Sequence, residues 1–283
     1  MDTYEKRGYL NSDFRLFHLI DTKKQDFEYH YHDFDKVIIF IQGNVTYRIE
    51  GCSYKLDPYD ILLVSHNDIH KPDIDPGLPY ERMIVYLSPG FLQAYRSDSY
   101  DLSTCFRKSK ELHSHVLRIP SMEKSSLYLT LSNLEYASAH DGYAKELYCK
   151  VVFLEFMIQL NRAALTNRVK YLPPVTGDRR ILDILDYIGG HLTEELTVDG
   201  IADACYVSRY HLMHIFKAET GYTLFAYITE KRLALARDLL KTGISVTEVC
   251  FQSGFSNYST FSRAYKKHFH ISPSEMRKEY TNI

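Results

Sequence analysis

Two stretches in the last third of the chain repeat one another. Residues 201–208 match residues 249–256 at an offset of 48, and residues 212–217 match residues 261–266 at an offset of 49. Each copy joins a short helix-like segment, a turn containing serine and a second segment with helical apolar spacing. The matched pairs are Ile201 with Val249, Ala202 with Cys250, Val207 with Phe255, Ser208 with Ser256, Leu212 with Phe261, Phe216 with Tyr265 and Lys217 with Lys266. The repeat predicts two helix-turn-helix units.

A long predicted helix over 223–241 separates the two units. At about 1.5 Å per residue this helix is about 28 Å long, and successive major grooves on one face of DNA are about 34 Å apart. A rod of that length would present the second helix of each unit to neighbouring grooves. One helix-turn-helix pattern is weak evidence, whereas two at this separation predict a DNA-binding domain.

Charge supports this interpretation only through its placement, because the formal net charge of the whole chain is −2. Residues 208–217 and 256–270 contain arginine, lysine and histidine but no acidic residue. These stretches contain the second helices of the two predicted units, where a DNA-binding protein needs positive charge. Six apolar side chains in the repeat are interpreted as core: Leu212, Ile215, Phe216, Phe255, Phe261 and Tyr265.

The first third of the chain predicts short strands instead. Segments 36–41, 45–50, 61–64 and 82–87 are rich in valine, isoleucine, tyrosine and phenylalanine, and turn-forming residues at 42–44, 57–60 and 73–79 separate them. Strands at this spacing predict a small antiparallel β-barrel or sandwich. The fold class is therefore α+β and multidomain, with an N-terminal barrel and an all-α C-terminal domain.

Two helices are predicted between these regions, over 121–139 and 143–162. Apolar residues recur at Leu127, Leu131, Leu134 and Ala137 in the first helix, and at Leu147, Val151, Leu154 and Ile158 in the second. The second helix also carries Phe153, Phe156, Met157 and Leu160. Two interpretations stay open: the pair packs on the barrel, or it forms a dimer seam, alone or in addition. Pro173-Pro174 marks a linker after the pair.

The C-terminal repeat closely resembles the signature of AraC-type transcription regulators, the AraC/XylS family. The segment ISVTEVCFQSGFSNYSTFSRAYKKHFHISPSEMR at 244–277 carries the resemblance, and SRYHLMHIFKAETG at 208–221 is similar to the family's first recognition helix. Cys250 and Tyr265 stand where the family usually has alanine and phenylalanine. His270 stands where it has a helix-ending glycine, a role that Gly221 has in the first unit.

The resemblance implies which side chains face DNA bases: Arg209, Tyr210, Met213 and His214 in the first unit, and Asn257, Ser259, Thr260 and Arg263 in the second. Arg263 is able to donate two hydrogen bonds to guanine, and Asn257 is able to bond base edges or phosphates. Met213 offers only an apolar contact.

Residues 14–92 resemble the cupin-like sensing domain that is common in this family, through His30, His32, Gly43 and His70. A metal-binding cupin needs a carboxylate where Lys36 stands, although the adjacent Asp35 would serve if the register slipped. A ligand pocket, a metal site and histidines that only pack remain as alternatives, and we expect the pocket, with no metal and no cofactor. Its predicted residues are His30, His32, Lys36, Tyr47, His70, Arg82 and Tyr86.

The predicted organisation is a cupin-like sensing barrel over 1–120, a helical pair over 121–166 for dimerisation, a linker over 167–177 and the double helix-turn-helix over 178–283. The predicted function is a sequence-specific transcription regulator, not an enzyme, with double-stranded DNA, a small-molecule effector, RNA polymerase and a second copy as partners. A cupin enzyme tethered to DNA and a regulator without a ligand are the alternatives. A polar N-terminus, no long apolar run and five scattered cysteines predict a cytoplasmic protein with no membrane contact.

Overall fold

The computed structural model describes residues 10, 12–22, 27–166, 169–175 and 179–281, although not the side chains of 279–281. Contacts divide the chain into two units, Met1–Thr176 and Gly177–Ile283. Residues 1–9, 11, 23–26, 178, 282 and 283 of the predicted domains, and 167, 168, 176 and 177 of the predicted linker, lie outside the described residues. Within the described ranges, every helix is too short or too polar to cross a membrane.

Antiparallel strands in two sheets form the N-terminal unit. The larger sheet has the order β1-β7-β2-β5-β8-β9 and the smaller one β4-β3-β6. The strands are β1 (Phe14–Asp21), β2 (Asp35–Gln42), β3 (Asn44–Ile49), β4 (Cys52–Lys55), β5 (Ile61–Val64), β6 (His70–Asp75), β7 (Tyr80–Leu87), β8 (Val116–Arg118) and β9 (Lys170–Tyr171). The predicted antiparallel architecture is confirmed, with the strands of the described residues grouped into two sheets.

The two faces of the larger sheet carry different side chains, because successive side chains of a strand point to opposite sides. One face packs into the apolar core and the other lines a cavity. On β2, Val37 and Ile39 belong to the apolar core, whereas Lys36 and Ile38 line a cavity on the other face. β7 alternates in the same way. Both strands are therefore buried on both faces, with the polar residues of one face gathered around the cavity.

Four helices complete this unit: α1 (Pro89–Gln93), α2 (Thr104–Glu111), α3 (Ser126–Ala139) and α4 (Lys145–Leu165). The predicted pair corresponds to α3 and α4. The face of α4 that packs into the core carries Val152, Phe153, Phe156, Met157, Leu160 and Ala164. Along the predicted seam, Leu147, Val151 and Ile158 are exposed and Leu154 is partly buried. The sequence therefore indicated both faces of α4 without showing which one packs inward.

Some elements of this unit differ from the prediction. The predicted turn at 73–79 is wrong in its first half, because β6 continues to Asp75 and pairs with β3. Strands β1, β4, β6, β8 and β9 and helices α1 and α2 were not predicted. Within the predicted linker, Lys170–Tyr171 pairs with β8, and the backbone N–H of Val175 donates to the carbonyl oxygen of Ser53 at 2.7 Å.

The C-terminal unit consists of helices, as predicted. They are α5 (Arg180–Gly190), α6 (Val198–Ala204), α7 (Arg209–Thr220), α8 (Leu224–Lys241), α9 (Val246–Gln252), α10 (Tyr258–Phe269) and α11 (Pro273–Thr281). Side-chain caps fix where the helices of the repeat begin: Ser208 accepts a hydrogen bond from the backbone N–H of His211, and Asn257 accepts one from Thr260. The extra residue in the second turn thus moves the cap from serine to asparagine.

Both units of the repeat end as the sequence indicates. Gly221 ends α7 with φ 77°, and His270 ends α10 in the same left-handed region with φ 61°. A histidine there costs about 1 kcal/mol relative to glycine. The six predicted core residues of the repeat are all buried, which confirms that interpretation.

Within the C-terminal unit, a close contact joins the turn between α9 and α10 to the loop between α5 and α6. Arg232 on α8 donates from Nε to the carbonyl oxygen of Leu192 at 2.8 Å and from Nη2 to that of Glu194 at 2.6 Å. We call these two hydrogen bonds of Arg232 the bracket. Gly254, in the turn between α9 and α10, packs directly against it and has φ 87°. A Cβ on Gly254 would lie 2.6 Å from the Leu192 oxygen and 2.8 Å from the Arg232 Nε. The bracket therefore depends on a residue without a side chain.

We expect Gly254→Ala to destabilise the C-terminal unit by about 2 to 4 kcal/mol, since it adds a left-handed strain to a backbone clash. The matched control is Gly189→Ala on α5, where a Cβ meets no atom within 4 Å. That change should be neutral or stabilising by up to about 1 kcal/mol. Calorimetric unfolding of both variants checks the contrast, and equal effects would contradict it.

Candidate functional site

A cavity of about 190 Å³ opens beside the larger sheet of the N-terminal unit. Six of the seven predicted ligand residues line it: His30, His32, Lys36, Tyr47, Arg82 and Tyr86. The seventh, His70, is fully buried and lies directly behind Lys36, whose Nζ is 3.2 Å from the His70 Nε2. The structure thus brings all seven predicted side chains to one place.

Other lining residues escaped the prediction: Leu19, Phe27, Ile38, Pro72, Tyr80 and Ile84. A signal for two of them was available. Ile38 lies two residues after Lys36 on β2 and Ile84 two residues after Arg82 on β7, so strand alternation places them on the same face. Tyr80 lies before the predicted strand 82–87, in the part of β7 that was not predicted. No such signal existed for Leu19 and Pro72, because β1 and β6 were not predicted as strands.

Hydrogen bonds fix how two of the histidines present their rings. The Nδ1 atom of His70 lies 2.8 Å from the carbonyl oxygen of Asp68, and that of His30 lies 2.8 Å from the carbonyl oxygen of Glu28. A carbonyl oxygen only accepts, so Nδ1 carries the hydrogen in both rings. In neutral His70 the Nε2 lone pair is therefore free to accept from Lys36.

Burial makes the charged form of this pair unfavourable. It lowers the pKa of Lys36 well below its usual value, and the nearby guanidinium of Arg82 lowers it further. The pKa of His70 is also lowered well below its usual value, by burial first and by Lys36 second. Burial raises the pKa of Tyr47 well above the usual value and that of Tyr80 to about 12, so both phenols stay protonated.

Arg82 is the second cation at the cavity, and it has a partner. Its Nη1 lies 2.6 Å from an Asp21 carboxylate oxygen and 3.2 Å from the carbonyl oxygen of Tyr80. The guanidinium also lies 4.1 Å from the centre of the Tyr80 ring. Arg82 is thus neutralised and held against one wall, whereas the partners of the Lys36 amine among the described residues are His70 and, at 5.3 Å, the Tyr86 ring.

The three histidines are also the group that is best placed to hold a metal ion. Each offers a ring nitrogen, and these atoms lie within 4.8 Å of one another. Lys36 interferes, because its Nζ lies 3.2 Å from the His70 Nε2 and so occupies the lone pair that an ion would need. In its protonated form it would also repel a divalent cation. The set fits a metal poorly while Lys36 is in place, and the expectation of a metal-free site stays a prediction.

The eight predicted DNA contacts lie in the other unit, on or beside α7 and α10, and all are exposed. The first two turns of α7 carry Arg209, Tyr210, Met213 and His214. Asn257, Ser259, Thr260 and Arg263 occupy the matching part of α10. The apolar side chains of both helices face inward, so each helix offers its polar face and its N-terminal end to a partner.

Several of these side chains already have partners within the unit. The Oδ1 of Asn257 caps α10 by accepting from the backbone N–H of Thr260. The Arg263 Nε donates to the carbonyl oxygen of Ser259 at 3.2 Å, and the Arg209 Nε lies 3.0 Å from an Asp199 oxygen. Tyr206, in the turn before α7, is 95% exposed and has φ 54°.

Comparisons with known protein families match both units. Residues 201–279 match a model described as a helix-turn-helix domain, and residues 17–137 match one described as an AraC-like ligand binding domain. The first range includes both recognition helices, and the second includes the cavity residues and most of α3.

Relatives are matched over most of the chain. The HTH-type transcriptional activator RhaS of Enterobacter sp. (strain 638) is 24% identical over 255 residues, which cover 89% of this chain and 88% of RhaS. RhaS of Escherichia coli O127:H6 is 23% identical over 254 residues, with the same coverage. Among solved structures, ToxT of Vibrio cholerae O395 is 18% identical, with a TM-score of 0.39, over 96% of this chain and 99% of that one.

Lys36→Met should stabilise the ligand-free protein by about 1 to 3 kcal/mol, because it removes a buried amine that has no carboxylate partner among the described residues. The folded pKa of Lys36 is lowered, so the unfolded chain binds more protons and wild-type stability rises with pH. The increase in the free energy of unfolding that Lys36→Met causes should therefore be largest at low pH and become smaller as the pH approaches 10.5.

Urea unfolding between about pH 6 and about pH 9 measures this difference. The exposed Lys55 offers the matched control, and Lys55→Met should change stability by less than about 0.5 kcal/mol. A Lys36→Met variant that is less stable than the wild type at every pH would contradict the prediction.

Proposed function

Since this chain belongs to the AraC family of DNA-binding transcription regulators and carries an N-terminal ligand-binding domain, we propose that a small molecule in the cavity controls its action at a promoter. The observation that carries the proposal is the cavity itself, where six polar or aromatic side chains predicted from the sequence meet. An effector that binds one arrangement of the protein better than another shifts the population towards that arrangement.

The DNA contacts proposed for this chain are the eight exposed side chains on α7 and α10. In a helix-turn-helix unit the N-terminal residues of the second helix reach base edges in the major groove. Arg263 has the chemistry for a specific contact, because a guanidinium donates two parallel hydrogen bonds to the O6 and N7 of guanine. Its present bond to the Ser259 carbonyl uses only Nε and leaves the terminal nitrogens available.

We propose a second copy of the chain as a partner, bound through α4. On this helix Leu147 is 63% exposed and Val151 54% exposed, and Ile158 continues the same stripe at steps of four and seven. An apolar stripe with heptad-like spacing matches the seam of a helix pair, so an identical helix from a second copy would cover it. The core residues of α4 lie on the opposite side and remain buried in the monomer.

The remaining partners and alternatives follow from the family. The curated relatives are named transcriptional activators, so RNA polymerase is a proposed partner here and the cytoplasm the proposed location. A cupin enzyme would need a reactive centre at the three histidines. Lys36 stands at that centre, and the proposed function therefore includes no catalytic step.

Arg263→Ala should weaken specific DNA binding by about 1 to 3 kcal/mol and relax the preference at one base pair. The DNA is a site that the wild-type protein selects from a random pool, and binding is measured by fluorescence anisotropy against that site and its single-base variants. Arg107→Ala is the matched control, since Arg107 is an exposed arginine of the N-terminal unit. Equal weakening on all sequences would make Arg263 a phosphate contact instead.

The double variant Leu147→Glu and Val151→Glu should give a folded monomer, because two buried carboxylates on each side would face one another across the seam. Sedimentation measures the oligomeric state, and binding to a paired site should fall while binding to a single site persists. Leu78→Glu with Leu112→Glu changes two exposed leucines of the same unit away from α4 and should leave the dimer intact. A wild-type protein that is monomeric at micromolar concentration would refute the seam.

A further inference from the structure

The polar groups at the cavity are nearly all hydrogen-bond donors or bases. The described lining residues include two histidines, a lysine, an arginine and three tyrosines, but no aspartate or glutamate. Neutral polyols are usually bound by a mixture of donors and charged acceptors, since each hydroxyl donates as well as accepts. The acceptors among these residues are neutral imidazole nitrogens and phenol oxygens, and none is a carboxylate, so the charge of the lining suits an anionic ligand better than a neutral polyol.

The charged side chains at the cavity restrict the class of ligand further. Arg82 is paired with Asp21 at 2.6 Å, so that cation is already compensated. Lys36 is the one lining cation without a carboxylate partner among the described residues, and it is 5% exposed. A buried lysine without a counter-ion costs stability, and natural proteins keep local conflicts of this kind mainly at functional sites.

From this geometry, and resting on the proposed function, we propose that the effector is a small monocarboxylate whose carboxylate pairs with Lys36. The Tyr47 and Tyr86 hydroxyls are further donors at the lining. The apolar walls from Leu19, Phe27, Ile38 and Ile84 would contact the rest of the molecule. A dianion would bring a second charge for which no free cation lines the described part of the cavity.

Binding of this kind takes up a proton. The groups that face Lys36 are His70 from β6, His30 and His32 from the segment before β2, Tyr47 from β3, and Arg82 and Tyr86 from β7, with Asp21 of β1 behind Arg82. Burial and Arg82 disfavour the ammonium form in the free protein, and a carboxylate in contact favours it. Affinity for the carboxylate should therefore fall as pH rises.

The test compares carboxylates with their neutral amides on the full-length protein. Acetate with acetamide, lactate with lactamide and benzoate with benzamide are matched in shape and differ in charge. Each is added at about 10 mM and constant ionic strength, and thermal shift and calorimetry report binding. At least one carboxylate should bind at least about tenfold more tightly than its amide, with proton uptake seen as a dependence of the heat on buffer ionisation.

Variants separate the charge of Lys36 from the shape of the cavity. Lys36→Met should remove the preference for the carboxylate, and Lys55→Met, an exposed lysine of the same unit, should keep it. His32→Ala changes the lining without removing the cation, so it should weaken the carboxylate and the amide together. Retention of the full preference by Lys36→Met would overturn the proposal.

The remaining outcomes distinguish this inference from the proposed function. One outcome is that glycerol, glucose or inositol stabilises the protein, that His32→Ala abolishes this effect and that no carboxylate has any. It would overturn the proposal of an anionic effector but keep that of a regulator controlled by a small molecule. Stoichiometric zinc, iron or manganese in protein purified without metal-affinity resin would overturn the anion and favour a metal centre. Failure of every carboxylate and every neutral compound to bind would count against both.

Discussion

The alternation of side chains along two neighbouring strands is the constraint on which the N-terminal unit depends. β2 and β7 are neighbouring interior strands of the larger sheet, and residues on both of their faces are buried. Val37, Ile39 and Val85 close the apolar core on one face, and the same pleat places Lys36 and Arg82 on the other. A slip of one residue in the pairing of β2 with β7 would send the lysine into the core. Register and cavity chemistry are thus fixed together.

In the C-terminal unit, the corresponding constraint is the bracket of Arg232 and Gly254. Two hydrogen bonds from one guanidinium satisfy the carbonyl groups of the loop before α6, and the turn of the second unit lies against them. The core of the second unit is built from α8 as well as α9 and α10, through Leu233, Leu240, Phe255 and Phe261. The central helix therefore belongs to both units instead of acting only as a spacer.

Local signals explain why the helical unit was predictable and parts of the sheet unit were not. Ser208, Thr223 and Ser245 each cap a helix that begins at the next residue, so those boundaries are encoded within four residues. By contrast, β6 contains Pro72 and several charged residues and is a strand only because it pairs with β3 at the edge of the smaller sheet. The inward face of α4 was undecidable for a similar reason, since the sheet that covers it is distant in sequence. The cavity residues were foreseen through a family resemblance, whereas strand alternation alone would have added Ile38 and Ile84.

The bracket has a mechanical consequence for the duplex. The central helix α8 has 18 residues and is therefore about 27 Å long, and the Arg232 guanidinium fixes it to the loop before α6, against which the turn before α10 packs. A rigid DNA-binding domain changes the distance between its two recognition helices very little. Any difference between that distance and the spacing of successive major grooves must therefore be accommodated by bending or twisting the DNA. The elastic cost of that deformation depends on the flexibility of base steps that no side chain touches. In a duplex bound by both helices, base pairs between the two contacted grooves would thus influence the affinity through their flexibility.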